Sequence, residues 1–129
     1  MDKTELVEEV IKDGERLIKA LDEDKFDVRA AMWFYLTDSN EWRLIIASPF
    51  VDKNGPKKSY EFILRELIKL SKRPLAIFLK NVSVISPQDD LISLLRSVIH
   101  TGPGISGIRF TRNAINNVLI EDAYIYRMS

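Results

Sequence analysis

The chain contains no cysteine and one histidine, His100. The first absence removes disulfides, thiol nucleophiles and thiolate metal sites, and fits a reducing compartment. The second removes any centre built from several histidines. No apolar run approaches the roughly 18 residues of a membrane span, and the acidic start does not read as a signal peptide. A soluble cytoplasmic protein is expected, with no metal and no cofactor. Net charge is also missing, since 19 basic side chains balance 19 acidic ones. That neutrality withholds the basic footprint of a dedicated nucleic-acid binder and the counterion release behind tight duplex binding.

The balance hides an asymmetry. Residues 1–41 hold 12 acidic and 6 basic side chains, while residues 42–129 hold 7 and 13. Such a dipole can steer a partner or favour head-to-tail association. Its plainer reading is a solvated acidic first helix.

What the chain has in quantity is patterned apolar sequence. With 129 residues, one domain is the natural reading. Its organising stretch runs from Val28 to Phe50, two strongly apolar runs around the polar turn Asp38-Ser39-Asn40-Glu41. Aromatic and β-branched residues favour a pleated surface, and a hairpin is predicted. A two-residue turn at Ser39-Asn40 would set Tyr35 opposite Leu44 and Trp33 opposite Ile46. A longer turn would shift those pairs. Trp33, Tyr35, Trp42, Leu44 and Ile46 share one face; Ala30, Met32, Phe34, Leu36 and Ile45 share the other. Both faces are apolar, so both need cover.

A first amphipathic helix is predicted over residues 4–22, with Asp2 and Glu5 as a capping box. Gly14 falls in its apolar stripe, as though another backbone packs closely there. Residues 52–58 read as a loop, and Pro56 as the first turn of a second helix reaching Ser71. Tyr60, Ile63, Leu64, Leu67, Ile68 and Leu70 would face inward, and Lys72-Arg73-Pro74 would end it. Leu75–Ile85 reads as a third strand. Ser86-Pro87-Gln88-Asp89 reads as the start of a third helix, burying Leu91, Leu94, Leu95, Val98 and Ile99 and ending with His100 in its last turn. Ile108–Asn113 and Val118–Arg127 form a closing hairpin around Asn116-Asn117, residues that tolerate positive φ. The fold class is α/β (α+β), a single domain of order α-β-β-α-β-α-β-β, with three helices on a five-stranded mixed sheet. Right-handed crossovers would make strands two, three and four parallel and put the second and third helices on one face.

Sequence candidates for a site are few. Lys53, Lys57, Lys58 and Ser59 cluster at a helix N-terminus, a natural anion site; the plainer reading is a solvated loop whose lysines serve solubility. Arg109, Arg112, Tyr124, Tyr126 and Arg127 combine guanidinium and aromatic groups on one hairpin, as single-stranded nucleic-acid binders do. Edge-strand arginines also discourage unwanted pairing. Glu121-Asp122 stand inside a strand. Opposite Arg112 and Thr111 they read as structural partners; with Asp89 or Asp90 they would read as a metal-dependent nuclease. Gly102-Pro103-Gly104-Ile105-Ser106-Gly107 matches the dinucleotide pattern but follows a helix and precedes a strand, the reverse of what phosphate binding needs.

The run Trp33-Phe34-Tyr35, Glu41 to Pro49 and Gly55-Pro56, with Ile120 to Arg127 at the end, resembles a family of short prokaryotic conserved hypothetical proteins. The resemblance implies a prokaryotic origin and supplies no activity. The expected function is binding or oligomerisation rather than catalysis, by a homodimer or higher oligomer or with another protein partner. The alternatives are a nucleic-acid role for the terminal hairpin and an enzyme for a small phosphorylated ligand at the Lys57 loop.

Overall fold

The computed structural model describes residues 5–71 and 75–129. The chain forms α1 (Glu8–Glu23), β1 (Ala30–Leu36), β2 (Glu41–Ala47), α2 (Pro49–Leu70), a 3-10 turn (Leu79–Asn81), β3 (Val82–Ile85), α3 (Asp90–Arg96), β4 (Ile108–Ile115) and β5 (Val118–Met128). This is a single α+β domain with a five-stranded mixed sheet, in the expected element order. The strands lie in the order β3-β2-β1-β5-β4.

The sheet departs from the predicted crossovers. β2 and β3 are parallel neighbours. β4 lies on the opposite edge, antiparallel to β5, which is itself antiparallel to β1. β4 therefore runs against β2 and β3. The physical reason is burial: β5 is the more apolar partner of its hairpin and takes the inner place beside β1, leaving charged β4 outside. The chain from β3 must then cross the whole sheet. α3 makes that crossing on the second face, where Ile92, Leu95 and Ile99 cover Ala30, Met32, Ile45 and Ile125. α1 and α2 together cover the first face, packing Leu17, Ile18, Leu21, Ile63 and Leu67 on Trp33, Leu44 and Ile46.

Local corrections have local causes. The first hairpin closes through four residues, so Trp33 faces Leu44 and Tyr35 faces Trp42. The shift is two residues, which preserves both predicted faces. α1 starts at Glu8 with Val7 as its cap residue and no side-chain cap; Asp2 lies outside the described residues, as do Lys72, Arg73 and Pro74. α2 begins earlier than expected, at Pro49, because Ser48 accepts the Phe50 N–H and proline suits the first turn; beyond non-helical Gly55 its second segment opens at Pro56, as predicted. Gly55, at φ 84° and ψ 169°, kinks it. Its buried residues are Ser59, Ile63, Glu66 and Leu67, whereas Leu64 and Ile68 face out. The third strand shrinks to Val82–Ile85. α3 is capped by Asp89, whose carboxylate accepts the Leu91 N–H. Ser86 caps only the preceding turn, accepting from Gln88. Val98 and His100 lie beyond α3 and are exposed.

The two edges of the sheet differ. On β3 the Val84 N–H donates to the Tyr60 hydroxyl of α2 at 3.0 Å. β4 is twice as long and mostly exposed. Its irregularity is Arg112, at φ 46°.

Candidate functional site

The lysine cluster sits at the α2 kink. Lys53, Lys57 and Lys58 are exposed. Ser59 is fully buried, and its hydroxyl donates to the Gly55 carbonyl at 2.8 Å. The hydrogen bond from Arg29 holds the Asp27 carboxylate below its usual range, and the positive charge of Lys53 adds to that effect. The cluster thus divides between exposed lysines and a buried serine.

The hairpin residues also divide. Arg112 is exposed and lies 3.5 Å from Glu121. Arg109 forks onto Asp122 through two 2.7 Å bonds, which raises its pKa, and its guanidinium lies 5.6 Å from the Trp42 ring centroid. Tyr124 is half-buried and stacks edge-on against Tyr126. Tyr126 and Arg127 are buried. The Tyr126 hydroxyl accepts from the Trp33 indole at 3.0 Å and donates to the Ile11 carbonyl at 2.5 Å. Burial raises its pKa well above the usual tyrosine range. The five residues therefore do not share one exposed surface. Asp122, Asp89 and Asp90 are also apart in role: Asp122 binds Arg109 and Asp89 caps α3.

A β-bulge explains why Tyr126 and Arg127 both point toward α1. The β1–β5 register shifts between Ala31 and Met32, so two successive side chains reach one face. Arg127 forks onto Asp22 at 2.9 and 2.8 Å and donates to the carbonyls of Val28 and Gly104. It ties the end of α1, the start of β1 and the glycine-rich loop together. These bonds form one wall of a cleft of about 640 Å³. Lys25 and Asp27 form another, at φ 60° and 66°. α1 ends in paired bonds, Lys25 N–H to Asp22 and Phe26 N–H to Leu21. Lysine there occupies the left-handed position where glycine is usual. Asp27 clamps Arg29 at 2.7 and 3.0 Å, and the bond from Arg29 holds the Asp27 carboxyl below its usual range.

A second recess, of about 260 Å³, lies at the other end of the sheet. Trp33 and Trp42 wall it, with Glu5, Glu41, Asn40 and Asn81 among its polar groups. Sequence reasoning placed both tryptophans on one face but missed the recess. The signal was incomplete because Glu5 and Asn81 arrive from distant segments.

The third feature is the α3 face. One seven-residue helix crosses it. Phe34, Ile108 and Phe110 pack there but remain half-exposed. A shallow recess joins Phe34 and Leu36 to Leu119 and Glu121. Compared with known proteins, the chain matches no family model, no curated protein and no solved structure. Among the described residues, no helix is long and apolar enough to cross a membrane.

Proposed function

We propose that the protein is a binding module that works as a homodimer, with the α3 side of the sheet as the surface between copies. The unequal cover of the two sheet faces carries this reading. Two long helices shield one face, whereas the other leaves Phe34, Ile108 and Phe110 half-exposed and Leu119 63% exposed. Clustered apolar surface of this kind marks association sites. Charge favours a second copy as the occupant. Arg112 and Glu121 stand together at the rim, and a two-fold contact can set each against its opposite in the other copy. The cysteine-free composition supports a reducing compartment such as the cytoplasm.

Light scattering tests the reading. The parent chain should be a dimer at high micromolar concentration. Phe110→Asp combined with Leu119→Asp should be a folded monomer, with an unchanged far-ultraviolet spectrum. A monomeric parent, or a double variant that stays dimeric, overturns the proposal.

A further inference from the structure

We infer that the Asn54-Gly55 joint at the α2 kink is a site of spontaneous covalent modification, where the Asn54 amide converts in water to a mixture of aspartate and isoaspartate. The reaction needs a backbone nitrogen that can reach the asparagine side chain. The Gly55 nitrogen gives its proton to a solvent base and attacks the Asn54 Cγ. A C–N bond forms, the Cγ–Nδ2 bond breaks, and ammonia leaves with a proton from water. The product is a five-membered imide, and water then adds to either of its carbonyls. Opening at Cγ gives aspartate. Opening at the backbone carbonyl gives isoaspartate, whose main chain is one methylene longer. Water is the sole co-reactant, and nothing is oxidised or reduced.

The sequence selects one asparagine. Asn40, Asn81, Asn113, Asn116 and Asn117 each precede a residue whose side chain crowds the attacking nitrogen, whereas Asn54 precedes glycine. A Cβ placed on Gly55 would meet no atom within 4 Å, so open space surrounds the joint.

The backbone adds the freedom that the step requires. A helix interior holds an asparagine away from the cyclic geometry, but Asn54 is not interior. Gly55, at φ 84° and ψ 169°, leaves the helical path directly after it, and Pro56 has no N–H with which to continue the ladder. The segment from Pro49 to Asn54 is too short to hold its last turn by backbone bonds alone, so that turn can open locally. The Ser59 hydroxyl meanwhile holds the Gly55 carbonyl. Asn54 is exposed to the water that must add. Its Nδ2 donates to the Phe50 carbonyl at 3.2 Å in the open, and a bond of that kind slows the attack by roughly tenfold at most. Lys53, Lys57 and Lys58 are exposed nearby, and their charge favours loss of the Gly55 proton. The neighbouring Asp52 carboxylate is turned to the Ser86 hydroxyl. The change sets a carboxylate beside these lysines and just before the second helical segment, whose N-terminus favours negative charge.

The test is ageing of the full chain at physiological temperature and mildly alkaline pH, followed by peptide mapping with mass spectrometry. The peptide carrying Asn54 should gain one mass unit and split into two species of equal mass. The other asparagines should stay intact over the same period. The chain unfolded in urea sets the reference rate, and the native rate should lie within roughly tenfold of it. A native rate further below the reference means that the helix protects the joint, and overturns the inference. Conversion of another asparagine as fast as Asn54 also overturns it, because the kink would then confer nothing.

Discussion

The two faces of the sheet are held by different means. Under α1 and α2, polar groups are buried at fixed points: Tyr126 between Trp33 and Ile11, Arg127 on Asp22, and Asp13, which accepts the Ala76 N–H at 2.9 Å. Under α3 the contacts are aliphatic and aromatic, with Ile92, Leu95 and Ile99 at their centre. Directional bonds accept one arrangement and penalise others, because an unmade buried bond is costly. Apolar contacts tolerate rearrangement. The first face fixes the fold in one geometry, and the second keeps surface that can repack against a partner.

The sharpest way to break that contrast is Arg127→Ala. It removes the donor from two carbonyls and from the Asp22 carboxylate, whose side chain is 38% exposed and can turn to water, and should cost about 2–3 kcal/mol in urea unfolding. A loss near the surface-pair range would mean that the first face is not held by its polar anchors.

Gly14→Ala comes next. A Cβ there would collide with the Tyr126 hydroxyl and would lie 2.8 Å from the Trp33 indole nitrogen. The close approach expected from sequence is made by these side chains rather than by another backbone. Overpacking of this sort should cost about 1–3 kcal/mol. Tyr126→Phe removes the colliding oxygen, so the double variant should lose less than the sum of the singles. Strict additivity would separate Gly14 from Tyr126.

The third test uses pH. Burial, with Asp24 beside it, raises the Glu66 pKa, while hydrogen bonds from Glu66 and Lys69 lower that of Asp24. The raised Glu66 contributes stability at low pH that is lost as pH climbs from the ordinary glutamate value through the raised one. Asp24 contributes in the opposite sense, losing its share as pH falls below the ordinary aspartate value. Glu66→Gln keeps a neutral group in place. It should be more stable than the parent at neutral pH, with the gap closing as pH falls into the ordinary glutamate range. Thermal melts across pH 3–8 would measure it, and a gap independent of pH would refute it.

The smallest effect belongs to the second face. Arg112 is 83% exposed as a side chain, so Arg112→Ala and Glu121→Gln should each stay within about 1 kcal/mol in chemical denaturation. A larger loss would make the pair a second polar anchor on this face, beside the Arg43 bond to Ser83.

The sequence revealed some of this and hid the rest for physical reasons. The hairpin faces were legible because side-chain alternation survives a two-residue slip. The β4–β5 register was legible because Asn116 and Asn117, at φ 48° and 68°, form the tight turn that their chemistry favours. The order of strands was not legible: it depends on which hairpin strand is buried more deeply, a property of the assembled sheet. The early start of α2 did leave a signal in Ser48-Pro49, overshadowed by Gly55-Pro56. The candidate sites fared unevenly because charge patterns do not reveal which arginines are already engaged. Arg127 and Arg109 bind carboxylates 105 and 13 residues away.

The hydroxyl of Tyr60 on the Val84 N–H has a consequence for how copies can accumulate. A sheet with two open margins can be extended at both, and a head-to-tail joint repeats without limit into a filament. Here α2 occupies one margin, so joining β3 of one molecule to β4 of the next requires first prising Tyr60 away. Any joint made through β4 alone is self-terminating, since it uses the same margin from both molecules. A single side chain thereby favours a finite pair over an open-ended fibre.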